Sequence, residues 1–257
     1  MLLSELVNLN LFAFLLVFAR MGMAFSLMPG FGSQQVPMRA RLVFALAVSF
    51  VVTPVVLPLL PVAPAATSML FLLLVSEVLI GAFLGTIPRI LIGAMQTAGT
   101  LIAMLSSMAN AFVNDPVANQ QSSIISTFLS TTAMILVFVT DLHHLMLGAL
   151  VDSYTLFSPA QGPMIGDMTD YIAHRVADSF RIGVQITAPI IVAGVAYYLG
   201  LGIMGRLMPQ LPVFFFGMPI QIMMQIYILM VSLSAILLVF LRYFENALYN
   251  FTTPLGG

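Results

Sequence analysis

The sequence predicts an all-α fold, a multi-helix membrane-associated protein with no soluble domain. Composition comes first: 61% of the 257 residues are hydrophobic and 7% are charged, against about 45–50% and about 25% in an ordinary soluble domain. No single water-soluble core could hide so much apolar surface, so lipid or neighbouring subunits must cover it. Secondly, apolar runs close to the roughly 20 residues that cross a bilayer as a helix recur along the chain, broken by Pro, Gly and Arg. Thirdly, no internal repeat and no interdomain linker interrupts residues 1–257, so one domain is expected.

Each element follows from its punctuation. Leu6–Met28 is the first run; it contains Arg20 and is stopped by Pro29-Gly30-Phe31-Gly32. Arg39 and Arg41 precede the second, Leu42–Leu60, whose prolines at 54 and 58, followed by 61 and 64, do not suit a regular helix. The third, Met69–Ile87, carries Glu77 and ends at Pro88-Arg89. The fourth, Ile90–Phe112, is rich in Gly, Ala, Ser and Thr. After the polar stretch Asn114–Gln121, the fifth, Ile124–Val151, carries Asp141, His143 and His144. Asp167 is a candidate N-cap for an amphipathic helix over Met168–Ile182, with Met168, Tyr171, Ile172, Val176 and Phe180 on its apolar side. The sixth run, Gly183–Met204, should kink at Pro189; the last covers Pro219–Leu241. Seven spans place all the arginines flanking the runs, save Arg206, on one side, which predicts an external N-terminus and a cytoplasmic C-terminus. The first charge is Glu5 and no small-residue cleavage site follows, so the first run is expected to be retained.

Several functions are disfavoured. A net charge of −1 gives no footprint for nucleic acid. The absence of cysteine removes disulfides, thiolate metal sites and a cysteine nucleophile. Adjacent His143 and His144 point about 100° apart on a regular helix, His174 is remote, and no cofactor or metal site is expected. No catalytic constellation supports an enzyme.

Arg20, Glu77 and Asp141 lie within apolar runs. A charge at the centre of a membrane helix costs roughly 2.5–3.5 kcal/mol, so such residues pair or line a cavity. One reading is an ion or substrate path, as in an ion-coupled secondary transporter. The preferred reading is a structural pair such as Arg20–Glu77 that fixes helix order, because three such residues are spread over three segments. Gly81-x-x-x-Gly85 and Ala94-x-x-x-Ala98 permit close helix approach. The thin fourth run ends in a loop, Asn110–Gln121, too polar for lipid contact; it belongs in water or inside a protein-lined pore.

Pro29-Gly30-Phe31-Gly32 with Val36-Pro37-Met38-Arg39-Ala40-Arg41, Glu77-Val78-Leu79-Ile80-Gly81 through Arg89, Gln96–Ile102 ending in Asp115-Pro116, His143-His144-Leu145, and Gly202–Leu211 occur in this order over nearly the whole chain. Together they resemble the FliR family of the flagellar type III protein export gate, whose injectisome counterpart shares the pattern; Leu105, Ser107 and Pro212 depart from it. The resemblance implies bent helical hairpins and a non-enzymatic subunit that forms and closes a protein-conducting channel with FliP and FliQ. FlhB and FlhA would lie nearby, unfolded flagellar proteins would be the cargo, and the place would be the flagellar basal body in the bacterial inner membrane. It also implies that Asn110, Phe112, Val113, Asn114, Asp115 and Pro116 belong to the channel plug.

Overall fold

In the computed structural model, residues 3–33, 36–106, 112–115, 120–159, 162–208, 210 and 213–252 are described. The apolar runs form helices, but proline divides them less than expected. The helices are α1 (Leu3–Leu27), α2 (Met38–Val56), α3 (Thr67–Leu105), α4 (Ile124–Val139), α5 (Leu142–Leu156), α6 (Ile165–Leu207) and α7 (Val213–Thr252). The third and fourth runs are one 39-residue helix passing through Pro88. The amphipathic segment and the sixth run are likewise one 43-residue helix through Pro189. A proline forfeits one backbone hydrogen bond, and membrane helices absorb that loss where neighbouring helices, side chains or a local adjustment re-satisfy the freed group.

This revises the count of seven spans. Among the described residues, four helical stretches are long and apolar enough to cross a membrane, Met38–Leu59, Thr67–Leu105, Ile165–Leu207 and Phe215–Tyr249; α4 and α5 make a fifth if their bent pair is one span. The fifth run is not one helix. It breaks at Asp141, which takes a left-handed conformation (φ 59°), and α4 and α5 are bent by 74° there. Helix α3, with 39 residues, is about 58 Å long at 1.5 Å per residue, twice the roughly 30 Å hydrocarbon core. Such helices either bend or project from the bilayer. In α6 most charges cluster near the start, at Asp167, Asp170, Arg175, Asp178 and Arg181; a largely apolar stretch follows, with Arg206 in the last turn.

The helices sort into two compact units, Met1–Ile90 with Phe138–Val176 and Glu245–Gly257, and Leu91–Val137 with Ala177–Phe244. In the first, α1 packs on α2 across the expected Pro-Gly turn. The turn has a built clamp. Arg41 Nε donates to the Phe31 carbonyl at 3.1 Å and its Nη2 to the Ser33 carbonyl at 2.9 Å, while the rings of Phe25, Phe31 and Phe44 pack together. Gly30 has φ 85°, a backbone that glycine adopts without strain. Helix α2 continues through Pro54 and ends in a 3-10 turn, Leu57–Leu59, where the prolines thicken.

In the second unit the small residues act as predicted. Ala94 and Ala98 are fully buried, and a β-carbon on Gly183 would lie 3.0 Å from the Ala94 carbonyl oxygen. A groove of about 580 Å³ lies between α6 and the start of α7, lined by Tyr197, Leu201, Met204, Phe216 and Ile220 among others.

The amphipathic face of α6 is only partly as predicted. Met168 is buried and Tyr171 and Ile172 half-buried, but Val176 and Phe180 are 50% and 60% exposed. The helix begins at Ile165, so Asp167 sits in its first turn instead of capping it.

The polar stretch expected as a loop contains a short antiparallel ladder, β1 (Phe112–Asp115) with β2 (Gln120–Ser123). Phe112 pairs with Ser123, Val113 with Ser122, Asn114 with Gln121 and Asp115 with Gln120.

Candidate functional site

Two sites emerge, one in each unit. The first is the ion pair. Arg20, on α1, and Glu77, on α3, are both 0% exposed. Gly81, one turn after Glu77, brings the helices together: a β-carbon there would overlap the Arg20 carbonyl oxygen, and one on Gly85 would crowd Ala24. The Gly81-x-x-x-Gly85 pattern is therefore the seat of α1, and it brings the guanidinium within reach of the carboxylate.

The resulting pair is bidentate. Arg20 Nε donates to Glu77 Oε2 at 2.6 Å and Nη2 to Oε1 at 3.0 Å. Nη1 donates to Ser153 Oγ at 3.0 Å, Nη2 also to the Phe157 carbonyl at 2.9 Å, and the Tyr154 ring lies 3.9 Å from the guanidinium carbon. The planar fork of arginine suits two parallel bonds to one carboxylate. With every guanidinium nitrogen engaged, the network ties α1 to α3 and to the end of α5. This is the structural pair preferred from the sequence. Asp141 is not part of it; its side chain is 75% exposed, with His144 Nδ1 3.7 Å from its carboxylate.

The second site is the hairpin and its mounts. Ser123 ends β2 and caps α4: the Ser126 amide donates to Ser123 Oγ at 3.1 Å. Ser126 Oγ donates to the Gln96 carbonyl on α3 at 3.0 Å. Gly99 makes that crossing possible, since a β-carbon there would collide with the Ser126 backbone. On the other side α3 ends at Leu105, whose carbonyl accepts from Gln221 Nε2 on α7 at 2.6 Å. The last carbonyls of a helix have no partner within it, and Gln221 supplies one. Both ends of the segment are thus fastened to helices, and its described part between them includes two four-residue strands.

Of the predicted plug residues, Phe112, Val113, Asn114 and Asp115 form β1, and Asn110 and Pro116 lie outside the described residues. Gln221 was missed by sequence reasoning. The signal was available: Gln221 and Gln225 lie four apart in an apolar run, on one helix face. Both are buried, and among the described residues Gln225 has no hydrogen-bond partner for either amide atom.

Long apolar helices, an ion pair sealed among them and a short hairpin fastened to helix ends define a helical membrane protein of the hairpin type. The family of bacterial export proteins, family 1, matches residues 11–247, and the chain belongs to it, with FliR as its flagellar representative. It is 36% identical to the flagellar biosynthetic protein FliR of Caulobacter vibrioides over 92% of this chain and 94% of that one. The identity to FliR of Bacillus subtilis is 33% over 88% of each chain. A Yop proteins translocation protein T of Yersinia pestis is 26% identical over 59% of each chain.

Proposed function

We propose that this chain is a non-enzymatic subunit of the flagellar type III protein export gate, placed in the bacterial inner membrane at the flagellar basal body. It forms and closes a protein-conducting channel together with FliP and FliQ, with FlhB and FlhA nearby and unfolded flagellar proteins as cargo. The names of the relatives support the flagellar setting; two of them, at 36% and 33% identity, are flagellar biosynthetic proteins over most of their length.

The observation that carries the closing role is the β1–β2 hairpin. A two-stranded ladder alone is marginally stable in water, so four-residue strands are displaced at small cost, while the mounts at Ser123 and Leu105 keep the segment in place. A gate needs that combination, because close packing seals well but opens poorly. Arg20 and Glu77 bind each other and Asp141 stands apart from them, which favours a structural pair over a shared coupling set.

Co-purification tests the assignment. Solubilised from its own cells, the chain should come out with small multi-helix membrane proteins in fixed ratio. Recovery as a lone chain or homo-oligomer would contradict it.

A further inference from the structure

We propose that Asp141, His143 and His144 form a binding site for one divalent transition-metal ion of the zinc, cobalt or nickel class. On a regular helix neighbouring histidines diverge. Here the two rings lie 4.2 Å apart, and Asp141, the left-handed residue before α5, holds its carboxylate beside His144. One ligand atom from each of the three residues lies within 4.8 Å of the others. A four-coordinate zinc with bonds near 2.1 Å holds its ligand atoms about 3.4 Å apart. Asp141 Oδ1 and His144 Nδ1 are already at 3.7 Å.

The closure that remains falls on exposed groups. His144 and Asp141 have side chains 69% and 75% exposed. His143 is the fixed member: its ring stacks on Phe138 at 5.1 Å. Its Nδ1 is buried and has no hydrogen-bond partner among the described residues. The His144 ring, now 4.2 Å from that of His143 and tilted by 34°, turns outward about its own side-chain bonds to aim a nitrogen at the ion. Phe138 in turn meets Phe31 edge to face at 5.7 Å, so His143 stands on a packed aromatic base.

The donor set selects the ion. Two imidazoles and one carboxylate are borderline donors that suit zinc, cobalt and nickel, whereas calcium and magnesium want several oxygens. Three protein ligands leave a fourth position open to water, the pattern of an accessible site. The positive end of the α5 dipole opposes a cation, and the Asp141 carboxylate offsets it. Bound metal would pin the first turn of α5 to the left-handed residue before it.

The test uses the solubilised membrane complex containing the full chain, carrying a tag free of histidine and stripped with chelator. Zinc chloride alone is titrated in by calorimetry, with cobalt absorption as a second readout of a nitrogen–oxygen site. Wild type should take up one zinc per chain that His174→Gln leaves unchanged. His144→Gln and Asp141→Asn change exposed groups and should leave assembly intact. Each should weaken that zinc by at least about tenfold, the scale seen when even an outer-shell support of a metal site is lost. No saturable zinc in wild type, or undiminished affinity in either variant, overturns the proposal and leaves the three residues as packing at a helix start.

Discussion

Replacing Glu77 by glutamine keeps the shape of the side chain and removes its charge. Arg20 then remains, wholly buried, with the Ser153 hydroxyl and Phe157 carbonyl as acceptors but no counter-ion. Breaking a buried pair by removing one partner costs about 3–5 kcal/mol. The Ser153 and Phe157 acceptors, the amide oxygen that glutamine keeps and the Tyr154 ring place Glu77→Gln near the lower end, about 3 kcal/mol, a loss of roughly 150-fold in the folded-to-unfolded ratio. The assay is denaturant titration of the detergent-solubilised complex, following the fraction of chain that stays assembled. A companion variant carrying both Arg20→Met and Glu77→Met removes both ions. It should recover most of the loss, because a buried pair replaced by apolar groups of similar volume is often neutral or stabilising. Wild-type stability of Glu77→Gln, or a double variant no better than the single one, would refute the view that this pair orders the helices.

Gly81→Val must push α1 from α3, because any β-carbon there overlaps the Arg20 carbonyl oxygen; a loss of about 1–3 kcal/mol in the same titration is expected, and none would mean the crossing is not tight. Gln221→Leu removes the side-chain donor to the Leu105 carbonyl and should cost about 1–3 kcal/mol; hydrogen exchange should quicken over 102–106 with the rest of α3 unchanged. Arg242, exposed near the end of α7, predicts a cytoplasmic C-terminus, and a fused periplasmic phosphatase should therefore stay silent. Expressed without other gate subunits, the chain should aggregate, since exposed Phe215, Phe216, Met223 and Tyr227 then have only detergent or lipid to meet; a monodisperse lone protein would count against a shared gate.

The sequence carried the helices well and their ends poorly. Length and hydropathy locate every apolar run, but Pro88 looks like a stop only under the rules of soluble helices, and here α3 runs through it; the amphipathic segment and the sixth run likewise join in one helix, α6. The break at Asp141 had no glycine or proline to announce it. The hairpin was hidden for a different reason: its strands are short and largely polar, without the alternation that marks a strand with one buried face. Small-residue spacing was the most informative local signal, since Gly81, Gly85 and Ala94 all mark close helix crossings. Charge in apolar runs found Arg20 and Glu77 and correctly paired them. It grouped Asp141 with them because a sequence cannot show that a helix has turned by 74°.

The proposed closing of a channel by the hairpin after α3 has a direct test. Deleting Val113–Ala118 removes most of β1 and the residues that follow it, yet spares Ser123, Gly99 and the Gln221–Leu105 bond that fasten its mounts. Ion conductance through complexes bearing this deletion, with assembly checked in the same preparation, is the direct measurement. Leakage well above wild type is expected in fully assembled complexes, with a smaller rise for Phe112→Ala. An assembled deletion complex as tight as wild type would show that the hairpin is an ordinary connector.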